Sequence, residues 1–410
     1  MKNIVIVGAG FGGVRAAKKL LKYLGSDRTI NITLVDKHDY HLFYPNLYEV
    51  ASSEEELTQV SQLKKSVALP LKEIFLGQRI TLIQGEVKHI DQASRYVHVA
   101  SKVLPFDFLI TAFGSTTQFY NIPGAEQYGN TLKSLAEALR ARNQVGFAVE
   151  RGSQSITKDY IRVVVAGAGP AGVELVAEYK GMLDILAWKY RYPRHKLELV
   201  LVEGATRILP NVSEKAAMKT LSRLQDLGVH VQTNRLINKV DEHFLYFSNG
   251  EVLDYDCLVW TAGIKACESC MDNNLEKDKM GRLATSNCLQ VGHNQTVFGI
   301  GDQASVLDYA GRPLPGTVPQ ALDQAEYVAH AIVCALKGKK PAPYKCRDFG
   351  YFVTVGGKWA VFENGRFVMS GFLAYFLRWL TFTEYFIRTL GIWRGLKLSL
   401  MEWRVYSRND

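Results

Sequence analysis

The chain has 410 residues, 47% of them hydrophobic and 22% charged, a balance typical of a folded globular protein. Its formal net charge of +9 favours an anionic partner or cofactor. Basic residues do not form consecutive blocks, so we expect no nucleic acid as a partner. All six cysteines lie in the second half, which excludes a small disulfide scaffold, and no apolar stretch is long enough to span a bilayer.

The chain opens with a pattern typical of a nucleotide-binding βα unit. An apolar strand is predicted over residues 4–7, and a helix is predicted over 14–24. Between them Gly8, Gly10 and Gly13 have the GxGxxG spacing. In this motif one glycine forms the tight turn, one admits a pyrophosphate, and one lets helix and strand pack closely. The N-terminus of the helix would attract the phosphate.

The second predicted strand, over 30–35, ends in Asp36, where a carboxylate can accept hydrogen bonds from ribose hydroxyls. It therefore supports the glycine motif. The elements predicted next are a helical pattern over 54–77, short strands within 80–99, a buried strand that ends in a turn over 108–115, and a helix over 132–149.

The opening pattern recurs in the middle of the chain. A predicted strand over 161–166 is followed by Gly167, Gly169 and Gly172, and the next predicted strand ends in Glu203. Because a repeat of the whole context is far less expected by chance than one match, the sequence predicts two dinucleotide sites.

A late apolar strand ends in Gly301 and Asp302. This pair resembles the late Gly-Asp strand end of the flavoproteins with two dinucleotide-binding domains, and the resemblance implies that Asp302 contacts the flavin in the first nucleotide site. The alternative is that Asp302 is the N-cap of the next helix. The other elements predicted in this half are a helix over 213–227, a hairpin turn at 249–250, a strand that runs into a turn over 257–263, and a helix over 318–336.

The C-terminal part, residues 371–403, is dense in large apolar side chains and carries a narrow polar stripe that includes Arg378. The charges argue against a spanning helix, whereas Trp, Tyr and Arg beside apolar residues favour a helix that lies in the membrane interface. The alternatives are a helix pair packed on the protein's own core or on a second subunit.

Several segments together resemble the type II NADH dehydrogenases, single-chain NADH:quinone oxidoreductases of the two-dinucleotide-binding-domain flavoprotein superfamily. They are residues 35–51 with Tyr40-His41-Leu42-Phe43-Tyr44-Pro45, residues 167–175, residues 260–263 and residues 301–304. The resemblance covers residues 3–404. It implies an α/β fold with two Rossmann-like domains of the pyridine nucleotide-disulfide reductase type and a C-terminal amphipathic membrane-binding region.

The resemblance also implies a domain order and a set of site residues. An FAD-binding domain would comprise 1–120 and 291–345, an NADH-binding domain 121–290, and a membrane-binding region 346–410. The cofactor-binding positions would be Gly8, Gly10, Phe11, Gly12, Gly13, Asp36, Lys37, Ala112, Gly114, Gly167, Gly169, Pro170, Gly172, Glu203, Ala262, Gly263, Gly301 and Asp302. The catalytic positions would be Glu174, Glu178, Gln320 and Gln324.

The two glutamates, Glu174 and Glu178, would lie near the junction of flavin and nicotinamide, or would simply be acids favoured by the helix dipole. At the second site, Glu203 would accept hydrogen bonds from a ribose 2′-hydroxyl and repel a 2′-phosphate, which favours NADH over NADPH. Arg207 lies close in sequence and weakens this inference, because an arginine can accommodate the phosphate.

The predicted helix over 318–336 carries Gln320 and Gln324 on one face. The family has a glutamine pair at this spacing in its quinone site, and neutral amides can bond quinone carbonyls without the desolvation cost of a charge. Pro319 and Asp323 depart from the family pattern, and an exposed polar face is the alternative. Arg378 is the third residue expected at the quinone.

The expected function is hydride transfer from NADH to FAD and then two-electron reduction of a membrane quinone, without proton pumping. The enzyme would be peripheral on the cytoplasmic side of the cell membrane, and a homodimer is compatible with the sequence. No metal is expected. Two alternatives stay open: a soluble NAD(P)H-dependent flavoprotein reductase with a protein or oxygen acceptor, and a membrane-docked flavoprotein that senses NADH.

The cysteine positions argue against related enzymes. Disulfide reductases need a cysteine pair soon after the first glycine motif, and sulfide:quinone reductases need a cysteine in the first half. The CxxC formed by Cys267 and Cys270 is interpreted as structural or incidental, since no second pair completes a zinc site.

Overall fold

The computed structural model describes residues 1–53, 59–100, 102–155, 159–268, 270–271, 275–292 and 294–407. The chain divides into two compact units. The first comprises Met1–Leu42, Leu69–Thr116 and Ile264–Phe349, and the second comprises Phe43–Ala68, Thr117–Gly263 and Gly350–Asp410. Residues 264–290, predicted as part of the NADH-binding domain, lie in the first unit.

Among the described residues, the strands are β1 (Lys2–Val7), β2 (Ile30–Asp36), β3 (Tyr40–Leu42), β4 (Ala68–Pro70), β5 (Thr81–Gln84), β6 (Val87–Asp91), β7 (Tyr96–Val99), β8 (Lys102–Pro105), β9 (Phe108–Thr111), β10 (Ser115–Thr117), β11 (Ile161–Ala166), β12 (Leu197–Val202), β13 (Val229–Gln232), β14 (Ile237–Val240), β15 (Phe244–Phe247), β16 (Val252–Asp254), β17 (Cys257–Trp260), β18 (Ile264–Ala266), β19 (Leu283–Ala284), β20 (Val297–Gly299), β21 (Ala304–Ser305), β22 (Tyr351–Thr354), β23 (Ala360–Asn364) and β24 (Phe367–Gly371).

The α-helices in the same residues are α1 (Phe11–Leu24), α2 (Leu47–Ser52), α3 (Val60–Val67), α4 (Leu71–Ile74), α5 (Ala125–Tyr128), α6 (Leu135–Gln154), α7 (Pro170–Lys189), α8 (Glu214–Asp226), α9 (Val318–Leu336), α10 (Phe372–Leu390) and α11 (Ile392–Tyr406). Short 3-10 helices cover Tyr44–Asn46, Arg194–Lys196 and Gly301–Gln303.

The first unit is built on a parallel sheet of order β20-β9-β1-β2-β5. The central strand β1 pairs with β2 on one side and β9 on the other, so its apolar run is buried on both faces. Helix α1 buries the stripe Val14, Ala17 and Leu20 and packs against α9. The antiparallel sheet β6-β7-β8 packs Ile90 and Val97 into one apolar cluster with Val5, Val7 and Leu109 of the parallel sheet.

The second unit repeats this plan with a parallel sheet of order β13-β12-β11-β17. Here β11 lies between β12 and β17, as β1 lies between β2 and β9. The predicted hairpin joins β15 to β16, and Gly250 adopts a φ of +87° at the turn. Two Rossmann-like sheets in one α/β chain confirm the predicted fold class.

The C-terminal part of the second unit begins with the antiparallel sheet β22-β23-β24, which was not predicted, and continues into the hairpin of α10 and α11. Gly391 ends α10 with a φ of +88°. A Cβ at Gly395 would lie 2.5 Å from the backbone nitrogen of Ile387, so the two helices approach as closely as they do because residue 395 is glycine. No helix in the described residues has the length and hydropathy that crossing a bilayer requires.

The structure bears out some element boundaries and corrects others. Helix α9 has the predicted bounds, and Ser213 caps α8 by accepting the N–H of Ala216 at 3.2 Å. The helix predicted over 54–77 is wrong as one element, because β4 separates α3 from α4. Pro70 ends the helical pattern, since proline disfavours the α region for the residue before it. Residues 54–58 lie outside the described residues.

Candidate functional site

The first glycine-rich turn joins β1 to α1. Gly8 has a φ of +101°, and its N–H donates to the carbonyl of Val35 at 2.8 Å. A Cβ on Gly13 would lie 1.7 Å from the Gly8 carbonyl oxygen, so a side chain at this position would push the helix away from the strand. The turn therefore depends on both glycines for its own backbone.

Gly10 has a different role in the same turn. Its backbone conformation, with φ −71° and ψ −167°, is one that any residue can adopt, and a Cβ there would meet nothing within 4 Å. Gly10 is also the N-cap of α1, where free N–H groups and the helix dipole favour negative charge. The space beside Gly10 therefore fits a phosphate group of a nucleotide.

Asp36, predicted to accept hydrogen bonds from ribose hydroxyls, also accepts hydrogen bonds from the backbone of the turn. Its Oδ2 accepts the N–H of Ala9 at 2.6 Å, and its Oδ1 accepts the N–H of His38 at 2.8 Å. A carboxylate has about four acceptor positions, so it can still take hydroxyl donors from a ligand. The neighbouring Lys37 is exposed.

The second glycine-rich turn, between β11 and α7, reproduces the first. Gly167 has a φ of +101°, and its N–H donates to the carbonyl of Val202 at 2.7 Å. A Cβ on Gly172 would lie 1.9 Å from the Gly167 carbonyl oxygen, whereas one on Gly169 would meet nothing within 4 Å. Pro170 opens α7, which is a favoured position because its missing N–H would have no helical partner.

Glu203 in the second unit takes the place of Asp36. Its Oε2 accepts the N–H of Ala168 at 2.7 Å, and its Oε1 accepts the N–H of Ala205 at 2.8 Å. Arg207 is held elsewhere, because its Nη2 donates to the carbonyls of Pro210 and Val212, both at 2.9 Å. The Arg207 guanidinium therefore bonds backbone carbonyls, whereas the Glu203 carboxylate bonds the N–H of Ala168 in the turn.

The ends of two further strands close against the turns. A Cβ on Gly8 would lie 2.2 Å from the carbonyl oxygen of Ala112, and one on Gly167 would lie 2.4 Å from the Cα of Ala262. Gly114 follows with a φ of +74°. Gly263 leaves room for the Tyr120 hydroxyl, since a Cβ there would lie 2.3 Å from it.

Asp302 lies at the end of β20, in the first unit, two strands from β1. Its Oδ2 accepts the Ser115 hydroxyl at 2.5 Å, and the preceding Gly301 has a φ of +71°. The N-cap of α9 is Thr317, so the interpretation of Asp302 as the cap of that helix is wrong. Ile300 connects this strand end to the first turn, because a Cβ on Gly12 would lie 3.0 Å from its Cδ1.

The glutamine pair of α9 is buried, with 7% of Gln320 and 3% of Gln324 exposed, so the alternative of an exposed polar face is wrong. The Oε1 of Gln324 accepts the Gly301 N–H at 2.8 Å. The Nε2 of Gln320 donates to the carbonyl of Arg347 at 2.7 Å. Both amides are therefore oriented by backbone partners in the first unit.

Asp323, which departs from the family pattern, also has partners in the first unit. Its Oδ2 accepts the hydroxyl of Tyr344 at 2.8 Å, and Arg347 lies 3.8 Å from its Oδ1. The same Tyr344 hydroxyl lies 3.4 Å from the Oε1 of Gln320. The extra charge is thus compensated by residues 344–347, which also fix the neighbouring amide.

In the second unit, Glu174 belongs to a hydrogen-bonded chain of buried groups. Its Oε1 accepts the Thr354 hydroxyl at 3.2 Å, and that Oγ1 lies 2.9 Å from the Tyr48 hydroxyl. Tyr48 in turn accepts the Nη2 of Arg378 at 2.8 Å. Burial raises the pKa of Glu174 to about 7, although Arg378 acts in the opposite direction. This is not the environment of a solvated first-turn acid.

Three further acids surround this chain. Glu49, Glu178 and Glu402 are 6%, 4% and 4% exposed, and burial raises the pKa of Glu402 well above its usual range. Arg378, 7% exposed, lies with its guanidinium carbon 4.2 Å from the centre of the Phe382 ring. Arg378 is therefore in the second unit, whereas Gln320 and Gln324, predicted to share its quinone site, are in the first.

Tyr48, Thr354 and Glu402 were not singled out from the sequence. An acid inside the apolar stripe of a predicted helix was a usable signal for Glu402. Tyr48 and Thr354 carry no such signal, because their pairing joins residues 306 positions apart.

Each of the six cysteines is a reduced thiol in the structure, and burial raises the pKa of Cys257 to about 12. The Sγ of Cys270 donates to the carbonyl of Val87 at 3.3 Å, while Ser269 of the CxxC lies outside the described residues. Within the described part of the chain, no group of three or more His, Cys, Asp or Glu could hold a metal ion.

Comparisons with known proteins agree with this duplicated architecture. The pyridine nucleotide-disulphide oxidoreductase family profile matches residues 2–325. The Type II NADH:quinone oxidoreductase Ndh of Mycobacterium tuberculosis is 31% identical over 405 residues, which cover 92% of this chain and 82% of that protein. The chain belongs to the type II NADH:quinone oxidoreductase family.

Other relatives extend the likeness. The Type II NADH:quinone oxidoreductase of Haemophilus influenzae is 28% identical, covering 87% of this chain and 85% of that protein. The structure of NDH2 from Plasmodium falciparum in complex with NADH shares the fold with a TM-score of 0.82 at 17% identity, covering 99% of both chains. The predicted membership of the type II NADH:quinone oxidoreductases is thus confirmed.

Proposed function

We propose that the protein oxidises NADH and reduces a membrane quinone through bound FAD, without moving protons across the membrane. Family membership supports this reaction. The single observation that carries it is the duplicated turn: two glycine-rich cradles, each with an open N-cap glycine and an acid on the second strand. Two dinucleotides in one chain suit a flavin that exchanges electrons with a nicotinamide.

FAD is assigned to the first unit and NADH to the second. In the first unit, Gly301 and Asp302 follow β20, a strand of the same sheet as β1, and β20 has no counterpart in the second parallel sheet among the described strands. In the second unit, Glu203 and the engaged Arg207 favour a ribose 2′-hydroxyl over a 2′-phosphate. NADH is therefore the preferred coenzyme.

The open space beside Gly10 and the carboxylate of Asp36 would hold FAD, which would supply two-electron transfer from the hydride of NADH to a quinone that also takes up two protons. The chain's own contribution includes a proton-holding group. With its pKa near 7, the Glu174 carboxyl, whose Oε1 accepts the Thr354 hydroxyl, can bind or release a proton at neutral pH, which is the condition for effective general acid–base work. Thr354 and Tyr48 extend the hydrogen-bonded chain from that oxygen to Arg378.

The glutamines of α9 are assigned to the quinone. Because the Oε1 of Gln324 accepts the Gly301 N–H, the amide is held with its NH2 group on the other side, as a donor suited to a quinone carbonyl. Asp323, paired with Tyr344 and Arg347, does not present an uncompensated charge there.

The function is tested on the purified full chain. We expect flavin absorbance that NADH bleaches and a quinone analogue restores, with kcat/KM at least tenfold higher for NADH than for NADPH. Absence of flavin would contradict the whole assignment. Bleaching by NADH with restoration by oxygen but not by quinone would instead favour the soluble reductase.

We further propose that the α10–α11 hairpin docks on the membrane surface. Helix α11 exposes Ile392, Trp393, Leu396 and Leu400, with Trp393 85% exposed. The exposed basic residues Arg394, Lys397 and Arg404 lie on the same helix. Large apolar side chains beside a tryptophan and basic residues are typical of a helix lying in an anionic interface.

The docking face is tested by replacing Trp393, Leu396 and Leu400 together with serine. We expect the fraction bound to phosphatidylglycerol-containing vesicles to fall at least tenfold in sedimentation, because each lost side chain contributes apolar area. Flavin content and NADH oxidation with a soluble acceptor should not change. Trp188→Ser, at an 81% exposed tryptophan of α7, is the matched control.

Unchanged vesicle binding by the triple variant would contradict the docking face. A shift from dimer to monomer with unchanged vesicle binding would make this face an interface between two copies. Point substitutions are preferable to truncation at residue 371, because truncation would remove the buried Arg378, Glu402 and Tyr406.

A further inference from the structure

Ala9 is held in the first unit through both of its own backbone polar groups, the N–H and the carbonyl. The N–H of Ala9 donates to Asp36 at 2.6 Å, and the carbonyl of Ala9 lies 2.9 Å from the Nδ1 of His41. A carbonyl oxygen only accepts hydrogen bonds, so this contact requires the proton to be on Nδ1. His41 is therefore a side-chain donor aimed at the glycine-rich turn.

His41 is held firmly in this orientation. Its side chain has 0% exposure, and its ring meets the ring of Phe11 edge-to-face with centroids 4.8 Å apart. Burial lowers the pKa of His41 to about 4, so the imidazole is neutral at physiological pH. A buried neutral histidine can serve only to fill space in the core, or it can serve as the donor to the Ala9 carbonyl. Comparison with the second glycine-rich turn favours the role as donor.

In the second unit, the corresponding alanine, Ala168, is also held through its N–H and its carbonyl, but the donor to the carbonyl is a backbone N–H. The N–H of Ala168 donates to Glu203 at 2.7 Å, and the carbonyl of Ala168 accepts the backbone N–H of Leu209 at 2.9 Å. Leu209 adopts a φ of +47°, a conformation uncommon for a non-glycine residue. Both turns thus have a donor on the same carbonyl, supplied by a side chain in one unit and by backbone in the other.

Because a peptide group is planar, the hydrogen bond from His41 to the Ala9 carbonyl also affects the N–H of Gly10. The carbonyl of Ala9 and the N–H of Gly10 belong to one planar trans peptide and point in opposite directions. Fixing the carbonyl therefore fixes the N–H of Gly10, which is the N-cap residue of α1 and lies beside the open space of the turn. A rotated peptide would turn this donor away from a phosphate.

We propose that His41 is a positioning residue for the flavin, which acts through the Ala9–Gly10 peptide by holding the Gly10 N–H toward the pyrophosphate. The inference rests on the proposed binding of FAD in the first unit. It goes beyond that proposal by giving a role to a side chain outside the glycine motif. His41 is not a catalytic residue, since its donor bonds the protein's own backbone.

The test compares variants of the full-length holoprotein. Asn places an amide N–H near the position of Nδ1, Gln places it near Nε2, and Leu has no donor. Release of FAD on dilution is followed by the fluorescence of free flavin. We expect His41→Leu and His41→Gln to weaken FAD binding roughly tenfold to 100-fold, and His41→Asn to stay within about threefold of the wild type.

The matched control is His38→Leu, because His38 is near in sequence and its ring stacks on that of Tyr40, with the two centroids 4.9 Å apart. It should bind FAD within about threefold of the wild type. NADH-induced stabilisation of each variant against heat reports the second site, and it should not change. If His41→Leu does not fold, the contrast between Gln and Asn decides the question.

Equal FAD binding by His41→Leu and the wild type would overturn the role of His41. Equal weakening by Asn and Gln would also overturn it, because a packing role does not distinguish the two amides. If the wild type binds FAD but reduces no quinone, the positioning role stands and the proposed function fails. If the wild type binds no FAD, both fail.

Discussion

Gly10→Ala will give a folded protein that has lost its flavin. The backbone at Gly10 suits any residue, and an added Cβ would meet no protein atom within 4 Å, so the turn can form. The methyl group would instead occupy the space assigned to the pyrophosphate and keep it from the N–H groups of α1. We expect at least a 100-fold loss of FAD affinity, measured as flavin absorbance per chain and by titration with FAD.

Gly13→Ala separates this effect from loss of the turn. Here the added Cβ would lie 1.7 Å from the Gly8 carbonyl oxygen, so helix and strand must move apart. This variant should lose both flavin and thermal stability, whereas Gly10→Ala should melt like flavin-free wild type. Equal destabilisation of the two variants would contradict the distinction between a binding glycine and a packing glycine.

Gly169→Ala is the matched variant in the second unit. A Cβ there also meets nothing within 4 Å, so the protein should fold, keep its flavin and show a KM for NADH raised at least tenfold. The reverse result, with Gly169→Ala losing flavin and Gly10→Ala keeping it, would exchange the two cofactor assignments.

The sequence allowed the two turns to be predicted because their determinants are local. Gly8, Gly13 and Asp36 act within one βαβ unit, and at both glycines an added Cβ would clash with backbone atoms. Helix α9 was predicted with its observed bounds for the same reason: Thr317 is its N-cap and Pro319 lies in its first turn, while apolar residues recur at helical spacing.

The contacts that assemble the rest of the site are not local. Tyr48 meets Thr354 across 306 positions, and Arg378 meets Tyr48 across 330. No periodicity in the sequence links residues so far apart. The sequence therefore predicted an apolar C-terminal helix with a polar stripe, but it did not reveal which residues the stripe contacts. The sheet of β22, β23 and β24 was missed because its short strands precede a much stronger helical signal.

Because contacts between distant segments are not visible in the sequence, the candidate binding residues could be identified, but not all of the contacts that each of them makes. Asp36 and Glu203 were predicted as ribose acceptors, and the structure adds that each also accepts the N–H of the alanine inside its turn. Gln324 was predicted as a ligand-facing amide, and the structure adds that Gly301 fixes its orientation. Each addition is a contact between segments that no single motif contains.

Arg378→Met will destabilise the protein by about 3–5 kcal/mol, because the change leaves buried acids without their cationic neighbour. Arg378 donates to the Tyr48 hydroxyl and to the carbonyl of Pro45, and its charge lowers the pKa values of Glu174 and Glu402. The matched control is Arg388→Met on the same helix, where an exposed pair with Glu384 should contribute less than about 1 kcal/mol. Urea unfolding of the flavin-loaded proteins measures both.

The pH dependence tests the same cluster by an independent route. Because the pKa of Glu174 is raised to about 7 from 4.5, the folded state holds a proton in this interval that the unfolded state has lost. The contribution of Glu174 to stability is thus full below pH 4.5 and is lost as the pH rises through 7. Glu174→Gln should remove this slope, and Arg378→Met should move its upper end to higher pH. An unchanged slope in both variants would mean that Glu174 is ionised throughout, and the proton-holding role would then fail while the fold assignment stands.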